Sequence, residues 1–274
     1  MRYSIKFYKG CRVLSAADEV VLKYNLEPEI CEYIKENHPD QRIVLNIKDV
    51  DVTVENRHIV LDSLKKVCNS HKDSTVLLSW ENQVDLAPDL YELNIPFFFD
   101  LRVTTLDTLS KITQLGVSDV YICNNLCFSL STIAPICHKY GINIRVYPNV
   151  LQYDKEKTTP HLRNFFLRPE DIKYYEKYID YLEFFGDRLD KQSVLFEIYK
   201  SGRWEGKLND LILGFEDDVF NEEIIVDFGK YRTSCRHSCD SDKCNLCGAV
   251  NDLLKTYNRI REESDKTLKF ISVE

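Results

Sequence analysis

Residues Asp119–Tyr147 read D-V-Y-I-C-N-N-L-C-F-S-L-S-T-I-A-P-I-C-H-K-Y-G-I-N-I-R-V-Y, and this stretch decides the fold. The run Asp119–Cys123 is almost wholly apolar, as is typical of a strand that is buried on both faces. Leu130–Tyr140 has helical character, and Asn143–Tyr147 is a second strand-like run. A strand, a helix and another strand in this order predict two parallel strands joined by a helix.

The same alternation extends in both directions along the chain. Strands are predicted at Arg42–Ile47, Thr75–Ser79, Pro96–Asp100, Asp119–Cys123, Asn143–Tyr147, Asn164–Arg168, Tyr181–Phe185 and Ile224–Phe228. Helices are predicted at His58–Asn69, Leu106–Leu115, Leu130–Tyr140, Pro169–Tyr178 and Lys191–Lys200, after a first helix that begins at Pro28. Seven or eight such units predict an α/β fold with a TIM-like (β/α)8 barrel. The alternative is a doubly wound open sheet, but no glycine-rich phosphate fingerprint follows the first strand.

Two long polar segments interrupt the alternation, and the chain has additions at both ends. Residues 148–162 and 202–223 contain no clear helix, so the barrel is predicted to be incomplete or distorted. Tyr3–Tyr8 and Glu19–Tyr24 are predicted to pair as an N-terminal β-hairpin outside the barrel sheet. The chain is thus expected to be one compact domain, with the hairpin at 1–27, the barrel at 28–230 and a cysteine-rich loop with a closing helix at 231–274.

Composition and charge exclude several classes of protein. The 274 residues are 44% apolar, which is enough for one large core. No stretch approaches the roughly eighteen apolar residues of a membrane-spanning helix, and Met1–Gly10 has no apolar run after its basic start. The net charge of −8 argues against non-specific binding to nucleic acid through bulk charge. Six of the ten cysteines are scattered, as reduced cysteines are, so a cytoplasmic location is expected.

The other four cysteines lie together in C-R-H-S-C-D-S-D-K-C-N-L-C. Cys235, Cys239, Cys244 and Cys247 have the spacing C-x3-C-x4-C-x2-C. A short loop with this spacing can direct four thiolates to one metal centre. Disulfides fit less well, because no export signal accompanies the cluster. The sequence therefore predicts that these four residues bind a metal.

The identity of the metal stays open between two candidates. C-N-L-C-G resembles a zinc knuckle, although zinc ribbons usually separate their cysteine pairs by more than the four residues found here. A compact four-cysteine loop after a large domain also suits an iron–sulfur cluster. We predict an iron–sulfur cluster, with zinc as the alternative. An apolar stripe after the loop predicts a closing helix on the barrel wall, and it consists of Val250, Leu253, Leu254, Tyr257 and Ile260.

Charged residues also occur inside or at the end of several predicted strands. The functional face of a TIM barrel lies at the carboxyl ends of its strands, so the candidate ligand-binding residues are Asp100, Arg145, Arg168 and Glu183. A charge at such a position needs a partner when it is buried. Arg145, Arg168 and Glu183 lie on consecutive predicted strands and are expected to form one net positive pocket for a phosphate or carboxylate. The alternative is a lattice of arginine–carboxylate pairs without a ligand.

Two segments resemble a known family. Leu115–Asn125, L-G-V-S-D-V-Y-I-C-N-N, and Ile179–Arg188, I-D-Y-L-E-F-F-G-D-R, are similar to strand–helix units of the collagenase-like peptidases, the unassigned peptidase family thirty-two. The resemblance covers about residues 42–199. It implies a TIM-like barrel with a four-cysteine iron–sulfur cluster and either peptidase activity or oxygen-independent hydroxylation of RNA bases or a quinone precursor. The family's cysteines are spread over a longer stretch than the four cysteines here.

These patterns lead to two hypotheses about function. The first is an iron–sulfur enzyme with a TIM barrel that resembles that family. The second is a non-catalytic binding or structural protein, whose degenerate barrel carries a structural zinc site. Nucleophilic catalysis has little support, because neither G-x-S-x-G nor H-E-x-x-H occurs. The candidate partners are an anionic small molecule or RNA, and no membrane.

Overall fold

A computed structural model describes residues 1–7, 14–24, 28–71, 73–103, 105–122, 130–148, 167, 169–184 and 189–204 of the chain. Within these ranges, nine strands form a single sheet in which every neighbouring pair is parallel. The strands are β1 (Arg2–Lys6), β2 (Glu19–Lys23), β3 (Arg42–Asn46), β4 (Ser74–Leu78), β5 (Phe97–Phe99), β6 (Arg102–Val103), β7 (Asp119–Ile122), β8 (Asn143–Val146) and β9 (Tyr181–Glu183). Their order in the sheet is β5-β4-β3-β2-β1-β9-β8-β7-β6.

The sheet curls back on itself. Its two terminal strands, β5 and β6, are separated in the chain only by Asp100 and Leu101. The N–H of Ser118, just before β7, donates to the carbonyl of Phe97 in β5 at 2.8 Å. Side chains from opposite parts of the sheet also meet inside the curl, since Arg42 of β3 contacts Asp119 of β7. The predicted α/β fold with a TIM-like parallel barrel is therefore confirmed.

A local bond pattern explains why β5 and β6 are separate. The N–H of Asp100 donates to the carbonyl of Leu78 at 2.9 Å, and its side chain accepts the N–H of Trp80 at 3.0 Å. These bonds hold the chain against the end of β4, and only afterwards does it pair with β7 through β6. The barrel is thus distorted at residues 100–101.

Helices alternate with the strands. They are α1 (Pro28–Asn37), α2 (Arg57–Ser70), α3 (Ala87–Glu92), α4 (Leu106–Thr113), α5 (Leu130–Lys139), α6 (Ile172–Tyr175) and α7 (Leu189–Ser201). Three short 3-10 turns lie at Leu14–Ala16, Val84–Leu86 and Pro169–Asp171. Thr105 caps α4 by accepting the N–H of Thr108 at 3.1 Å, as a preferred N-cap residue does. Among these helices, none combines the length and the apolar character that crossing a membrane requires.

Both faces of the strands are buried, which explains their continuous apolar runs. In β3, Ile43 and Leu45 belong to the cluster of residues that packs between the sheet and the helices. Val44, between them, points to the other face and packs inside the barrel with Val21, Leu77, Phe98 and Tyr121. A helix layer outside and a filled interior inside are the two packing surfaces of a TIM barrel.

The predicted N-terminal hairpin is wrong. β1 and β2 pair in parallel, with Ser4 opposite Glu19, and β1 also pairs with β9. Ile5 and Val20 are 0% exposed, so both strands are buried as central strands are. A tight turn can connect only antiparallel neighbours, whereas a parallel pair needs a longer crossover. The parallel pairing of β1 with β2 therefore excludes a hairpin at 1–27.

Several predicted elements lie outside the described residues. These are the strand at Ile224–Phe228, the four-cysteine loop, the closing helix and, apart from Leu167, the strand at Asn164–Arg168. The interruptions predicted at 148–162 and 202–223 are described only at 148 and at 202–204.

His71 follows α2 and gives the fold a dependence on pH. Its side chain is 6% exposed, and burial lowers the pKa of its imidazole below the ordinary value, while the Asp73 carboxylate acts in the opposite direction. The unfolded chain, with an imidazole pKa of about 6.5, therefore binds a proton more readily than the folded chain. Stability from this residue is present at neutral pH and is lost as the pH falls below about 6.5.

We expect the His71→Gln variant to lose this contribution to the pH dependence. The free energy of unfolding of the wild-type chain minus that of the variant should decrease as the pH falls from about 8 to about 5. Urea denaturation at each pH measures both values. A difference that stays constant or grows as the pH falls would show that His71 does not titrate in this way.

Candidate functional site in the barrel interior

Five charged side chains point into the barrel, and together they are called the interior charge cluster below. Glu19, Arg42 and Asp119 are the first residues of β2, β3 and β7, Arg145 lies within β8, and Glu183 ends β9. Arg42 is 6% exposed and the other four are 0% exposed. Because side chains alternate along a strand, the first three share a face with the inner apolar residues two positions later. Burying ionised groups is costly, so their partners decide what the cluster can do.

Arg145 is the centre of the cluster. Its Nη1 donates to Glu19 Oε1 at 2.8 Å, its Nη2 donates to Glu19 Oε2, and its Nε donates to Asp119 Oδ1 at 3.0 Å. The guanidinium also lies 4.4 Å from the ring centroid of Phe98 and 4.5 Å from that of Tyr181. Arginine suits this position because its planar fork pairs with carboxylates and stacks on aromatic rings at once.

Arg42 forms the second ion pair of the cluster. Its Nη1 and Nη2 donate to the two carboxylate oxygens of Asp119, each at 2.8 Å. The hydroxyl of Ser118 donates to Asp119 Oδ2 at 2.6 Å, and the hydroxyl of Ser4 donates to Glu19 Oε1 at 2.6 Å. Asp119 thus bridges both arginines, and the lower part of the cluster is extensively hydrogen-bonded.

These contacts keep Asp119 and Arg145 ionised despite their burial. Burial alone would raise the pKa of Asp119, but the guanidiniums of Arg145 and Arg42, with their hydrogen bonds, hold that pKa below the ordinary value. Burial alone would lower the pKa of Arg145, but the charges of Glu19 and Asp119 hold it above the ordinary value. Opposite charges at short distance outweigh desolvation in both cases.

Glu183 lies in the upper part of the cluster, toward the carboxyl ends of the strands. Its Oε2 accepts the hydroxyl of Tyr121 at 2.5 Å, and its Oε1 accepts the hydroxyl of Tyr147 at 3.3 Å. Arg145 Nη1 is 3.5 Å from Glu183 Oε2. Burial raises the pKa of both tyrosines well above the ordinary value, and the charge of Glu183 raises it further. Both hydroxyls therefore remain neutral donors at ordinary pH.

The structure places the four candidate ligand-binding residues differently. Arg145 and Glu183 meet in the interior charge cluster. Asp100 lies apart from them, with its Oδ2 3.2 Å from Lys48 Nζ. Arg168 lies outside the described residues, as do the four cysteines, for which metal binding stays a prediction.

The predicted net positive pocket stays a prediction, because one of its two arginines, Arg168, lies outside the described residues. Among the described residues, the interior charge cluster contains three carboxylates and two guanidiniums. Glu19 and Asp119, which pair with Arg145, are two of those carboxylates. Glu19 of β2 and Asp119 of β7 supply acids that the sequence did not predict. Binding of an anionic small molecule or RNA elsewhere stays a prediction.

Sequence reasoning missed Glu19, Arg42 and Asp119. A TIM barrel places its functional residues at the carboxyl ends of its strands, whereas these three residues stand at the amino ends of theirs. The signal was visible, since E-V-V-L, R-I-V-L and D-V-Y-I each begin an apolar run with a charge. Tyr121 and Tyr147 were counted only as apolar strand residues.

A groove lies on the outer, helical side of the barrel. Helices α4 and α5 border a largely apolar groove of about 560 Å³, whose lining includes Leu106, Ile136 and Tyr140. It is far in the fold from the interior charge cluster, because the sheet separates the two. Its lining carries no charged side chain, but it includes the hydrogen-bonding side chains of Ser110, Thr113 and Gln114.

Comparisons with known proteins show no family for this chain. No family model matches it, and no curated protein matches it. Among solved structures, it is similar to the crystal structure of 3-keto-L-gulonate-6-phosphate decarboxylase from Vibrio cholerae, with 12% identity and a TM-score of 0.42. The match covers 74% of this chain and 98% of that chain. A likeness at this level carries no inference about activity.

Proposed function

We propose that this chain is a metal-binding TIM-barrel protein, and that Cys235, Cys239, Cys244 and Cys247 hold one iron–sulfur cluster. The observation that carries the proposal is their spacing, with four cysteines within thirteen residues. Thiolates are the usual ligands of iron–sulfur clusters, and four of them complete the ligand set of one cluster. Lys243, Arg236 and His237 lie among the cysteines and would offset part of the negative charge.

The barrel fold supports an enzymatic role for the proposed iron–sulfur cluster. Its described strands end on one side, where TIM-barrel enzymes place their reacting groups, and Glu183 with its two tyrosine hydroxyls lies toward that side. When bound, an iron–sulfur cluster would supply electron transfer for a redox or hydroxylation reaction. The chain's own residues would bind and orient the substrate and hold its protons. This activity is the one implied by the resemblance to the collagenase-like peptidase family.

The alternative is a structural zinc site on a barrel without catalytic activity. The observation that favours it is the compactness of the loop, because a self-contained metal clip is a common structural device. In the described ranges, no group of three or more histidine, cysteine or acidic side chains is arranged to hold a metal. The two readings therefore differ in the metal that the four cysteines bind.

We expect anaerobically purified full-length protein to be coloured and to contain iron and acid-labile sulfide. Broad absorbance at the blue end of the spectrum, together with iron and sulfide analysis, measures this. Cys244→Ser should remove the colour and the iron, because it removes one of four thiolate ligands. The matched control is Cys68→Ser, a free cysteine on α2, which should keep both.

A colourless protein with one zinc per chain, lost in Cys244→Ser, would overturn the iron–sulfur proposal in favour of the structural one. Metal that is retained by Cys244→Ser and by Cys239→Ser would contradict both.

A further inference from the structure

Glu183 is the acid in excess within the interior charge cluster. Arg42 is paired with Asp119 by two bonds of 2.8 Å, and Arg145 is paired with Glu19 through both carboxylate oxygens. These two pairs balance in charge. Glu183 has one guanidinium atom at 3.5 Å, and its shorter contacts are with neutral hydroxyls. Glu183 is thus the third described carboxylate of the cluster against two guanidiniums, and a buried carboxylate lowers stability unless a cation accompanies it.

The position of Glu183 is that of a ligand-binding residue. It is the last residue of β9, Tyr147 directly follows β8, and Tyr121 is next to last in β7. All three therefore lie at the carboxyl ends of three neighbouring parallel strands. Tyr147 is partly buried, whereas Glu183 and Tyr121 are fully buried. Tyr147 is thus the most exposed of the three at the barrel mouth, by which we mean the carboxyl ends of the strands.

Two details show which ligand chemistry fits here. The Tyr147 hydroxyl is 3.3 Å from Glu183 Oε1, beyond the usual range for an O–H···O bond, so a better donor can replace it. The rings of Tyr121 and Tyr147 are stacked, with centroids 4.8 Å apart and an interplanar angle of 11°. A carboxylate beside an aromatic face attracts organic cations, because both the charge and the ring quadrupole favour them.

We propose that the barrel mouth binds a small protonated amine, which donates to Glu183 in place of the Tyr147 hydroxyl and lies against the Tyr147 ring. This inference goes beyond the proposed function and does not depend on the metal. Two lysines near the mouth already have carboxylate partners, since Lys48 lies 3.2 Å from Asp100 and Lys23 lies 3.4 Å from Asp49.

Among the described residues, Lys6 is a cation that could compete with such a ligand. It lies two positions after Ser4, which is opposite Glu183 in the sheet, and it shares the face of Ser4. An ammonium group from Lys6 at Glu183 would leave no place for the amine of a ligand. The Lys6→Met variant separates these two cases.

The experiment titrates full-length protein with n-butylammonium chloride and, separately, with sodium butyrate, a probe of the same size and opposite charge. Calorimetry and the shift in melting temperature report binding. We expect the amine to bind and to raise the melting temperature, and butyrate to have no effect. Glu183→Gln should weaken amine binding at least tenfold, while Glu81→Gln, an exposed acid just after β4, should leave it unchanged.

A second pair of variants makes the test independent of Glu183→Gln. Tyr147→Phe keeps the ring and removes the competing hydroxyl, so it should bind the amine at least as tightly as the wild type. Tyr147→Ala removes the ring and should bind it more weakly. The proposal is overturned by butyrate binding without amine binding, by amine binding that Glu183→Gln leaves intact, or by amine binding that appears only in Lys6→Met.

Discussion

Replacing Arg145 by methionine is expected to lower the free energy of unfolding by about 3–5 kcal/mol, the cost of breaking a buried ion pair from one side. Arg145 is 0% exposed, and it pairs with Glu19 and Asp119 while it contacts Glu183. Methionine fills part of the same space between Phe98 and Tyr181 but leaves three carboxylates with Arg42 as the remaining guanidinium of the cluster. Urea denaturation followed by circular dichroism measures the change.

Two further variants make this prediction specific to the charge. Arg102→Met changes an exposed arginine on β6 and should alter stability by less than about 0.5 kcal/mol. The double variant Arg145→Met with Glu19→Gln removes a cation together with its main partner. Its free energy of unfolding should exceed, by about 0.5–3 kcal/mol, the value expected from adding the effects of the two single changes. Additive effects, or an Arg145→Met protein as stable as the wild type, would show that the cluster is not a coupled lattice.

The sequence predicted the barrel because its signal is local and repeated. The strand at Asp119–Cys123 and the helix at Leu130–Tyr140 are observed as β7 (Asp119–Ile122) and α5 (Leu130–Lys139). The apolar run of β7 reflects burial of this strand on both faces. This signal lies in the strand's own residues. The prediction failed at β1 because R-Y-S-I-K alternates in polarity, which is typical of a half-buried strand in a hairpin. Its polar Ser4 instead points into the barrel and donates to Glu19.

The site was harder to predict than the fold because its partners are distant in the chain. Arg145 and Glu19 are 126 residues apart, and Arg42 and Asp119 are 77 apart. A single sequence shows that a charge lies in an apolar run, but it does not show which other charge lies across the barrel. The expectation that consecutive strands supply the partners placed Arg145 correctly beside Glu183 and overlooked Glu19 on β2. The curl of the sheet brings β2, β3, β7 and β8 together around one interior.

Replacing Phe98 by alanine is expected to lower the free energy of unfolding by about 3–5 kcal/mol, as is usual for a large buried aromatic residue. Phe98 is the middle residue of β5 and is 0% exposed. It packs with Val44 and Leu77 inside the barrel, and its ring lies 4.4 Å from the Arg145 guanidinium. The change therefore opens a cavity and also uncovers one face of a buried ion pair. Urea denaturation measures the loss of stability.

Comparison with milder substitutions distinguishes cavity formation from loss of the stacked ring. Phe98→Leu keeps most of the volume and removes the ring above Arg145, so it should cost about 1–1.5 kcal/mol if volume dominates. Tyr91→Ala, at a residue that is 65% exposed on α3, should change stability by less than about 0.5 kcal/mol. If Phe98→Leu costs as much as Phe98→Ala, then the contact between ring and guanidinium carries the effect. The aromatic residues of the interior would then stabilise the charge cluster directly. A loss of stability for Phe98→Ala as small as that for Tyr91→Ala would instead exclude a packed interior at this position.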